Sequence, residues 1–228
     1  MAAINLAELA EKIVEESGTY TGGPIRHFEA AGRNTFIAAL RNGLMPDDKL
    51  LDFGAGCLRL GFWFARFLDS GNYFAIEPME NMIDAGKKYL FGEQLLQQKK
   101  PRFLVSGKCD MTTFGETFDF VVARSILTHT TPGMLHKILA EFSACGASDA
   151  TMIASYWAAT GAHRMRAEGV IGDELARDDW RFLPVVKYSI DYLQEVAAGY
   201  KLRIEEDFHA EDLILNRQIW LTIKRVAG

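Results

Sequence analysis

The chain has 228 residues, of which 49% are hydrophobic and 24% are charged, a balance that favours one compact domain with a buried core. Its net charge of -5 and its lack of long basic runs argue against a nucleic-acid partner. The sequence shows neither a basic leader region nor an apolar stretch of about eighteen residues. We therefore expect no signal peptide and no membrane span.

The three cysteines, Cys57, Cys109 and Cys145, are odd in number and widely spaced. This pattern fits neither a disulfide framework nor a zinc site. The histidines have no spacing that suggests a metal site either. We expect a reducing, cytoplasmic environment and no bound metal.

Residues 1–46 carry two helical patterns and are predicted to form a helical N-terminal cap. One apolar face repeats over residues 6–14 and the other over residues 37–44. A Gly- and Pro-rich break at residues 19–24 separates the two patterns. Tyr20 lies at this hinge, and we predict that it closes over a ligand site, as aromatic groups on mobile segments do. An ordinary packing anchor is the alternative.

Residues 47–157 alternate apolar strands with helical patterns, which is typical of parallel strands with helices on both faces. The predicted strands cover residues 49–51, 72–77, 102–106, 118–123 and 150–156. Further along, a helix at residues 190–197 precedes strands at 201–205 and 217–224. Because the connection between these last two strands is short, they pair more easily as antiparallel neighbours.

The first strand ends in the most informative motif of the chain, Asp52-Phe53-Gly54-Ala55-Gly56. Gly54 and Gly56 allow backbone torsions and a close approach to a ligand that a Cβ would block. Asp52 is expected to face whatever the loop holds, and the N–H groups that begin the next helix should line the same crevice. Capping of that helix is the alternative for Asp52, although a cap would lie nearer to it.

Carboxylates also follow the next two predicted strands. Glu77 ends the second strand, and Asp110 follows the third. These positions lie at the sheet edge where open α/β proteins bind ligands, and an acid after the second strand can accept both ribose hydroxyls. A solvated strand end is the alternative for Glu77, and turn chemistry is the alternative for Asp110.

On these residues, from about Lys49 to Trp157, the chain resembles the class I S-adenosylmethionine-dependent methyltransferases. The resemblance implies an α/β fold with a seven-stranded Rossmann-like sheet, mostly parallel with an antiparallel last strand and helices on both faces. It also implies S-adenosyl-L-methionine as cofactor and methyl transfer as the activity. The acidity and size of the chain, with the mixed charged and aromatic stretch at residues 158–180, suggest a small-molecule acceptor. We favour oxygen and nitrogen nucleophiles over carbon.

The resemblance also assigns roles to individual residues. The glycine loop would hold the methionine part of the cofactor, and Glu77 would hold the ribose. Asp110 would meet the adenine amine, with Met111 beside the adenine ring. Apart from the resemblance, Arg124 follows the fourth strand, and we predict that it contacts the cofactor carboxylate or the acceptor, with a salt bridge as its alternative. The predicted cofactor-binding residues are Tyr20, Asp52, Gly54, Ala55, Gly56, Glu77, Pro78, Met79, Asp110, Met111 and Arg124.

His129 is the predicted catalytic residue. It follows the fourth strand, where the family places groups that face the transferred methyl. An unperturbed histidine has a pKa near 6.5, so it can accept a proton from a hydroxyl or an amine near neutral pH. Residues 128–132 also suit the start of a helix, so a purely structural hydrogen bond is the alternative.

Residues 158–180 form a polar stretch without regular periodicity. The stretch is longer than most connections in compact domains, so we predict a substrate lid, with a solvated loop as the alternative. Residues 181–228 should then complete the sheet, and the whole chain should form one methyltransferase domain.

Two other functions remain open. An NAD(P)-dependent oxidoreductase would share the glycine loop and the acid after the second strand. Its fingerprint has a third glycine where this chain has Arg59. A non-catalytic S-adenosylmethionine-binding protein is the other alternative, since the missing third glycine would weaken the site.

Overall fold

The computed structural model describes residues 5–18, 24–161, 163–167, 177–180, 185–206 and 218–226. Within these ranges, seven strands form one sheet and two short strands form another. The strands are β1 Leu50–Phe53, β2 Tyr73–Glu77, β3 Arg102–Val105, β4 Phe118–Ala123, β5 Gly146–Tyr156, β6 Met165–Ala167, β7 Val186–Tyr188, β8 Leu202–Glu206 and β9 Ile219–Arg225. The helices are α1 Leu6–Ser17, α2 Phe28–Arg41, α3 Gly61–Phe67, α4 Glu80–Gly86, α5 Gly92–Lys99, α6 Pro132–Cys145 and α7 Ile190–Ala198.

The large sheet has the strand order β3-β2-β1-β4-β5-β9-β8. The first five of these strands are parallel neighbours, whereas β9 is antiparallel to both β5 and β8. The predicted α/β sheet with an antiparallel last strand is therefore confirmed. The chain moves outward from β1 to β3 and then restarts at β4 on the other side. This reversal opens a crevice at the carboxyl ends of β1 and β4, which is where such sheets bind ligands.

The two faces of the sheet bury separate hydrophobic clusters. All residues of β1 and β2 are buried, as expected for strands covered by helices on both faces. Side chains alternate along β1, so that Leu51 and Phe53 join the cluster beneath α6 and α7. Leu50 joins the other cluster, beneath α1, α2, α3 and α4.

The N-terminal helices pack against the side of the sheet that carries the glycine loop. The side chain of Asn5 caps α1 by accepting backbone hydrogen bonds, and Gly18 ends the helix in the left-handed conformation. The carboxylate of Glu16 accepts a hydrogen bond from the Tyr89 hydroxyl at 2.6 Å. Asn81 donates to the backbone oxygen of Ser17 at 2.8 Å. The end of α1 is thus fixed to α4 and to the turn that follows it.

Two sequence expectations differ from the structure, and a third lies outside the described residues. Strand β5 begins at Gly146, earlier than predicted, through an irregular register with β4. Residues 158–180 were expected to lack regular structure, yet β6 lies within them and pairs with β7. Three-residue strands are too short to show a periodicity. Tyr20 and its hinge lie outside the described residues.

None of the described helices combines the length and the apolar character needed to cross a bilayer.

Candidate cofactor and acceptor site

A cavity of about 450 Å³ opens at the carboxyl ends of the central parallel strands. Its walls come from the loops after β1, β2, β3 and β4, together with Trp180 and Gln218. The sequence-predicted residues that line it are Gly54, Ala55, Gly56, Glu77, Pro78, Met79, Arg124 and His129. The structure therefore brings most of the predicted site to one place.

The glycine loop is shaped by positive φ angles and by close packing. Gly54 has φ of 75° and Gly56 has φ of 54°, a region that disfavours residues with a Cβ. A Cβ at Gly54 would lie 2.0 Å from Cδ1 of Ile126. The loop is anchored to β2, because the N–H groups of Gly54 and Ala55 donate to the Ile76 oxygen at 2.9 and 3.0 Å.

Glu77 bridges the loop and the start of α4. Its Oε2 accepts the Gly56 N–H at 2.8 Å, and its Oε1 accepts the Met79 N–H at 3.1 Å. The residue is only 7% exposed and lines the cavity. Burial raises the pKa of Glu77, although the two backbone N–H groups oppose the shift. Each carboxylate oxygen can accept more than one hydrogen bond, so capacity for a ligand hydroxyl remains.

Asp52 does not face the cavity, contrary to our expectation. It is 1% exposed and accepts a hydrogen bond from the Tyr73 hydroxyl at 2.8 Å, whereas its Oδ1 has no hydrogen-bond partner among the described residues. Asp52 is still part of β1, so its side chain follows the pleat onto the face that also holds Leu50. Burial raises the pKa of Asp52 to about 7. Its contact with a cofactor stays a prediction.

Two helical glycines allow close packing around the glycine loop, which lacks a third glycine. A Cβ at Gly61 would lie 2.5 Å from the Tyr73 hydroxyl oxygen, so this glycine lets Tyr73 reach Asp52. A Cβ at Gly86 would lie 2.4 Å from the backbone oxygen of Cys57, so α4 packs directly against the loop. Sequence analysis missed both glycines because their contacts are with distant elements.

Asp110 and Met111 are not brought to this cavity. The Asp110 carboxylate accepts a hydrogen bond from the Ser106 hydroxyl at 2.8 Å and lines a separate, charged cavity. Met111 is fully buried in a hydrophobic cluster, because the chain makes a 3₁₀ turn there. Ser106, Gly107 and Cys109 line the cavity instead, at the end of β3. The adenine roles of Asp110 and Met111 stay predictions.

The far side of the cavity is formed by the segment after β4. Arg124 is buried, and the backbone N–H of His129 donates to the Ile126 oxygen at 2.9 Å. Arg59, also buried, lines the cavity and lies 5.9 Å from the ring centre of Phe28 on α2. From the sequence, Arg59 was noted only as the residue that replaces the third glycine of the dinucleotide-binding fingerprint.

Trp180, the last residue of the predicted lid, and Gln218 also line the cavity. The backbone N–H of Trp180 donates to the backbone oxygen of Gly107 at 2.5 Å, which attaches the end of the predicted lid beside β3. Gln218 reaches the cavity from the start of β9. No sequence motif marks Gln218, since it arrives from far along the chain. Across the described residues, no group of His, Cys, Asp and Glu is arranged to hold a metal ion.

No protein-family model matches this sequence, and no curated protein sequence matches it. Solved structures do match. The chain has the fold of the class I S-adenosylmethionine-dependent methyltransferases.

Three matching structures illustrate this likeness. Magnesium protoporphyrin IX methyltransferase from Synechocystis, solved with S-adenosylmethionine, has 12% identity and a TM-score of 0.62 over 99% of this chain and 100% of its own. The 1,6-didemethyltoxoflavin-N1-methyltransferase from Burkholderia thailandensis, solved with 1,6-didemethyltoxoflavin and S-adenosylhomocysteine, has 17% identity and a TM-score of 0.63, covering 100% of this chain and 93% of its own. An S-adenosylmethionine-dependent methyltransferase from Clostridium acetobutylicum has 12% identity and a TM-score of 0.62, covering 97% of this chain and 98% of its own.

Proposed function

We propose that this chain is an S-adenosylmethionine-dependent methyltransferase that acts on a small molecule. The observation that carries the proposal is Glu77, a buried carboxylate that ends β2, bonds the glycine loop and lines the cavity. The solved structures of the same fold support it, because two of those described above hold S-adenosylmethionine or S-adenosylhomocysteine.

The residues present fit this cofactor. The space that a Cβ at Gly54 would need is taken by Ile126, so the loop requires a glycine at this position of the cavity wall. We assign the backbone of Gly54, Ala55 and Gly56 to the methionine part and Glu77 to the ribose hydroxyls. Pro78 and Met79 continue the wall beside the ribose.

The polar groups of the cavity suit the groups of the cofactor. Arg124 and Arg59 are buried and line the cavity, and we assign Arg124 to the cofactor carboxylate. Glu77 supplies hydrogen-bond acceptors for the neutral ribose hydroxyls. Asp52, Asp110, Met111 and Tyr20 are not needed for this assignment.

Bound S-adenosylmethionine would supply a methyl group that its sulfonium already activates. The chain's part is to hold an acceptor atom in line with that carbon and to exclude water. We assign His129 to take the proton from the acceptor hydroxyl or amine at its imidazole, a step that contributes about a hundredfold to ten-thousandfold. Turnover of His129→Ala at saturating cofactor tests this role, and full turnover at every pH contradicts it.

Calorimetry separates the three candidate functions. We expect S-adenosylhomocysteine to bind the purified chain and NADH to show no binding. Binding of NADH alone would favour the oxidoreductase. Incubation with methyl-labelled S-adenosylmethionine and a small-molecule extract completes the test. Binding of S-adenosylhomocysteine without any labelled product would favour the third candidate, a non-catalytic binding protein.

The cytoplasmic location, the single-domain division and the substrate lid stay predictions made from the sequence. Acceptors of oxygen or nitrogen type stay favoured over carbon.

A further inference from the structure

Three polar side chains meet at the carboxyl ends of β4 and β5, beside the start of β9. The Ser125 hydroxyl lies 3.0 Å from Oε1 of Gln218, and the Ser155 hydroxyl lies 2.7 Å from the same atom. The backbone N–H of Ser125 donates to Oγ of Ser155 at 2.7 Å. We call these residues the Ser125–Ser155–Gln218 cluster.

The hydrogen bonds fix the orientation of the Gln218 amide. Oγ of Ser155 already accepts the Ser125 N–H, so its hydroxyl proton needs an acceptor, and Ser155 is fully buried. If the amide were turned over, Nε2 would face both hydroxyls as a donor and that proton would lose its acceptor. The carbonyl oxygen of Gln218 therefore faces the serines and is saturated by two hydroxyl donors.

The amide nitrogen of Gln218 is left with two N–H donors. Across the part of the chain that the structure describes, neither donor has a partner, whereas Gln218 lines the cavity. A polar group beside a cavity that makes no internal hydrogen bond is available to a ligand, and a ligand that leaves it unpaired loses affinity.

The backbone conformation of Ser125 also indicates a functional site. Its φ of 58° is unfavourable for a residue with a Cβ, and the bonds to Ser155 and Gln218 hold it there. Strained residues of this kind concentrate at functional sites. Arg124 directly precedes Ser125 and lines the same cavity, so positive charge lies on this side.

We propose that Gln218 is a specificity-determining residue, which donates through Nε2 to a carbonyl or carboxylate oxygen of the methyl acceptor. The proposal rests on the proposed function, because it assumes that the acceptor shares the cavity with the cofactor. The Ser125 and Ser155 hydroxyls act as positioning groups for the amide. Acceptors without such an oxygen leave the amide nitrogen unpaired and bind more weakly.

Side-chain amide NMR tests the contact in the unaltered protein. The two Gln218 amide protons are assigned by their loss in Gln218→Glu, and the protein is saturated with S-adenosylhomocysteine. We expect salicylate to shift both protons, whereas 2-isopropylphenol, of similar shape without the carboxylate, leaves them in place. The Gln194 amide, which donates to the Ile204 oxygen at 3.1 Å, serves as the internal control. Unmoved Gln218 signals up to the solubility limit of salicylate would overturn the proposal.

Affinity gives a second arm. Salicylate should bind about tenfold or more tightly than 2-isopropylphenol, the factor that one charge-assisted hydrogen bond provides. Gln218→Met, which removes both N–H donors without adding a charge, should abolish that preference and Gln194→Met should keep it. Equal binding of the two probes, or the same preference in both variants, would contradict the role of Gln218. S-adenosylhomocysteine is titrated into the same samples, and its failure to bind would overturn the proposed function instead.

Discussion

Glu77 hydrogen-bonds the glycine loop with the same carboxylate that we assign to the ribose. If that assignment is right, Glu77→Ala removes two hydrogen bonds to a charged acceptor, each contributing roughly 1.5 to 3 kcal/mol. We expect the Kd of S-adenosylhomocysteine to rise tenfold or more, roughly 1.4 kcal/mol per factor of ten. Calorimetry measures the change. Glu80→Ala, an exposed carboxylate three residues further on, is the matched control. Equal affinities in the two variants would remove Glu77 from the site.

Asp52 should make stability depend on pH. Burial is the largest cause of its raised pKa of about 7; the Tyr73 hydrogen bond opposes the shift and the nearby Glu77 adds to it. The folded state therefore keeps a proton that the unfolded state releases near its model value of 3.8. The contribution is fully present below that value. It is lost as pH rises to about 7, by at most roughly 1.4 kcal/mol per pH unit.

Asp52→Asn keeps the shape and an oxygen for the Tyr73 hydroxyl but does not titrate. Urea unfolding at a series of pH values should show a flatter dependence for this variant between pH 4 and 7, the window between the two pKa values. Asp69→Asn, which changes an exposed carboxylate, should follow the unaltered protein. A slope in Asp52→Asn as steep as that of the unaltered chain would show that Asp52 is ionised in the fold.

Residue types and spacing predicted which loops line the cavity, but not where each side chain points. Glu77 and Asp52 both end strands after an apolar run, and the sequence treats them alike. The difference arises because Tyr73 and Gly61 pack around Asp52. The Glu77 carboxylate instead accepts the backbone N–H groups of Gly56 and Met79. Gln218 had no signal at all, since its partners Ser125 and Ser155 come from other strands.

At the scale of elements, the close approach of α3 to β2 depends on Gly61. A Cβ there would lie 2.5 Å from the Tyr73 hydroxyl oxygen and 3.0 Å from Cζ of Phe91. Gly61→Ala should therefore lower the free energy of unfolding by about 1 to 3 kcal/mol, the usual range for overpacking. Adding Tyr73→Phe removes the nearest atom and should recover part of the loss in a double-mutant cycle. Strict additivity of the two changes would show that Gly61 does not act through Tyr73.

The end of the predicted lid lies beside the part of the cavity that we assign to the cofactor. The Trp180 N–H bonds the Gly107 oxygen, and the Thr131 hydroxyl donates to the Arg177 oxygen at 2.6 Å. Saturating S-adenosylhomocysteine should therefore change the tryptophan fluorescence, and Trp180→Phe should lose most of that change. Trp157→Phe, which alters a tryptophan outside the cavity lining, should keep it. An undiminished change in Trp180→Phe would place the cofactor away from this segment.

The strands of the large sheet could be predicted from their apolar runs, whereas the short paired strands could not be predicted from the sequence. Strands β1, β2 and β4 are buried on both faces, so composition alone marks them. Strand β6 has three residues and pairs with β7 far along the chain, so neither period nor composition reveals it. A strand could be predicted where burial determines its composition. It could not be predicted where the strand forms by pairing with a distant segment.

At the scale of the whole molecule, the strand order and the crevice make one coherent site. The reversal between β1 and β4 sets the glycine loop opposite the segment after β4, so Glu77 and His129 line one cavity from its two sides. The Gln218 amide enters from β9, the antiparallel strand. The glycine loop and Glu77 come from β1 and β2, whereas His129 and Gln218 come from the segment after β4 and from the start of β9. Acceptor preference could therefore change without alteration of the glycine loop or Glu77.

A crystal structure of the chain with S-adenosylhomocysteine tests the central claim most directly. The account predicts the ligand in the cavity at the carboxyl ends of the parallel strands, with both ribose hydroxyls within hydrogen-bond distance of the Glu77 carboxylate, about 2.5 to 3.0 Å. The methionine part should lie along Gly54 and Gly56. A ligand seated elsewhere, or a ribose turned away from Glu77 while that carboxylate keeps only its bonds to Gly56 and Met79, would contradict the account.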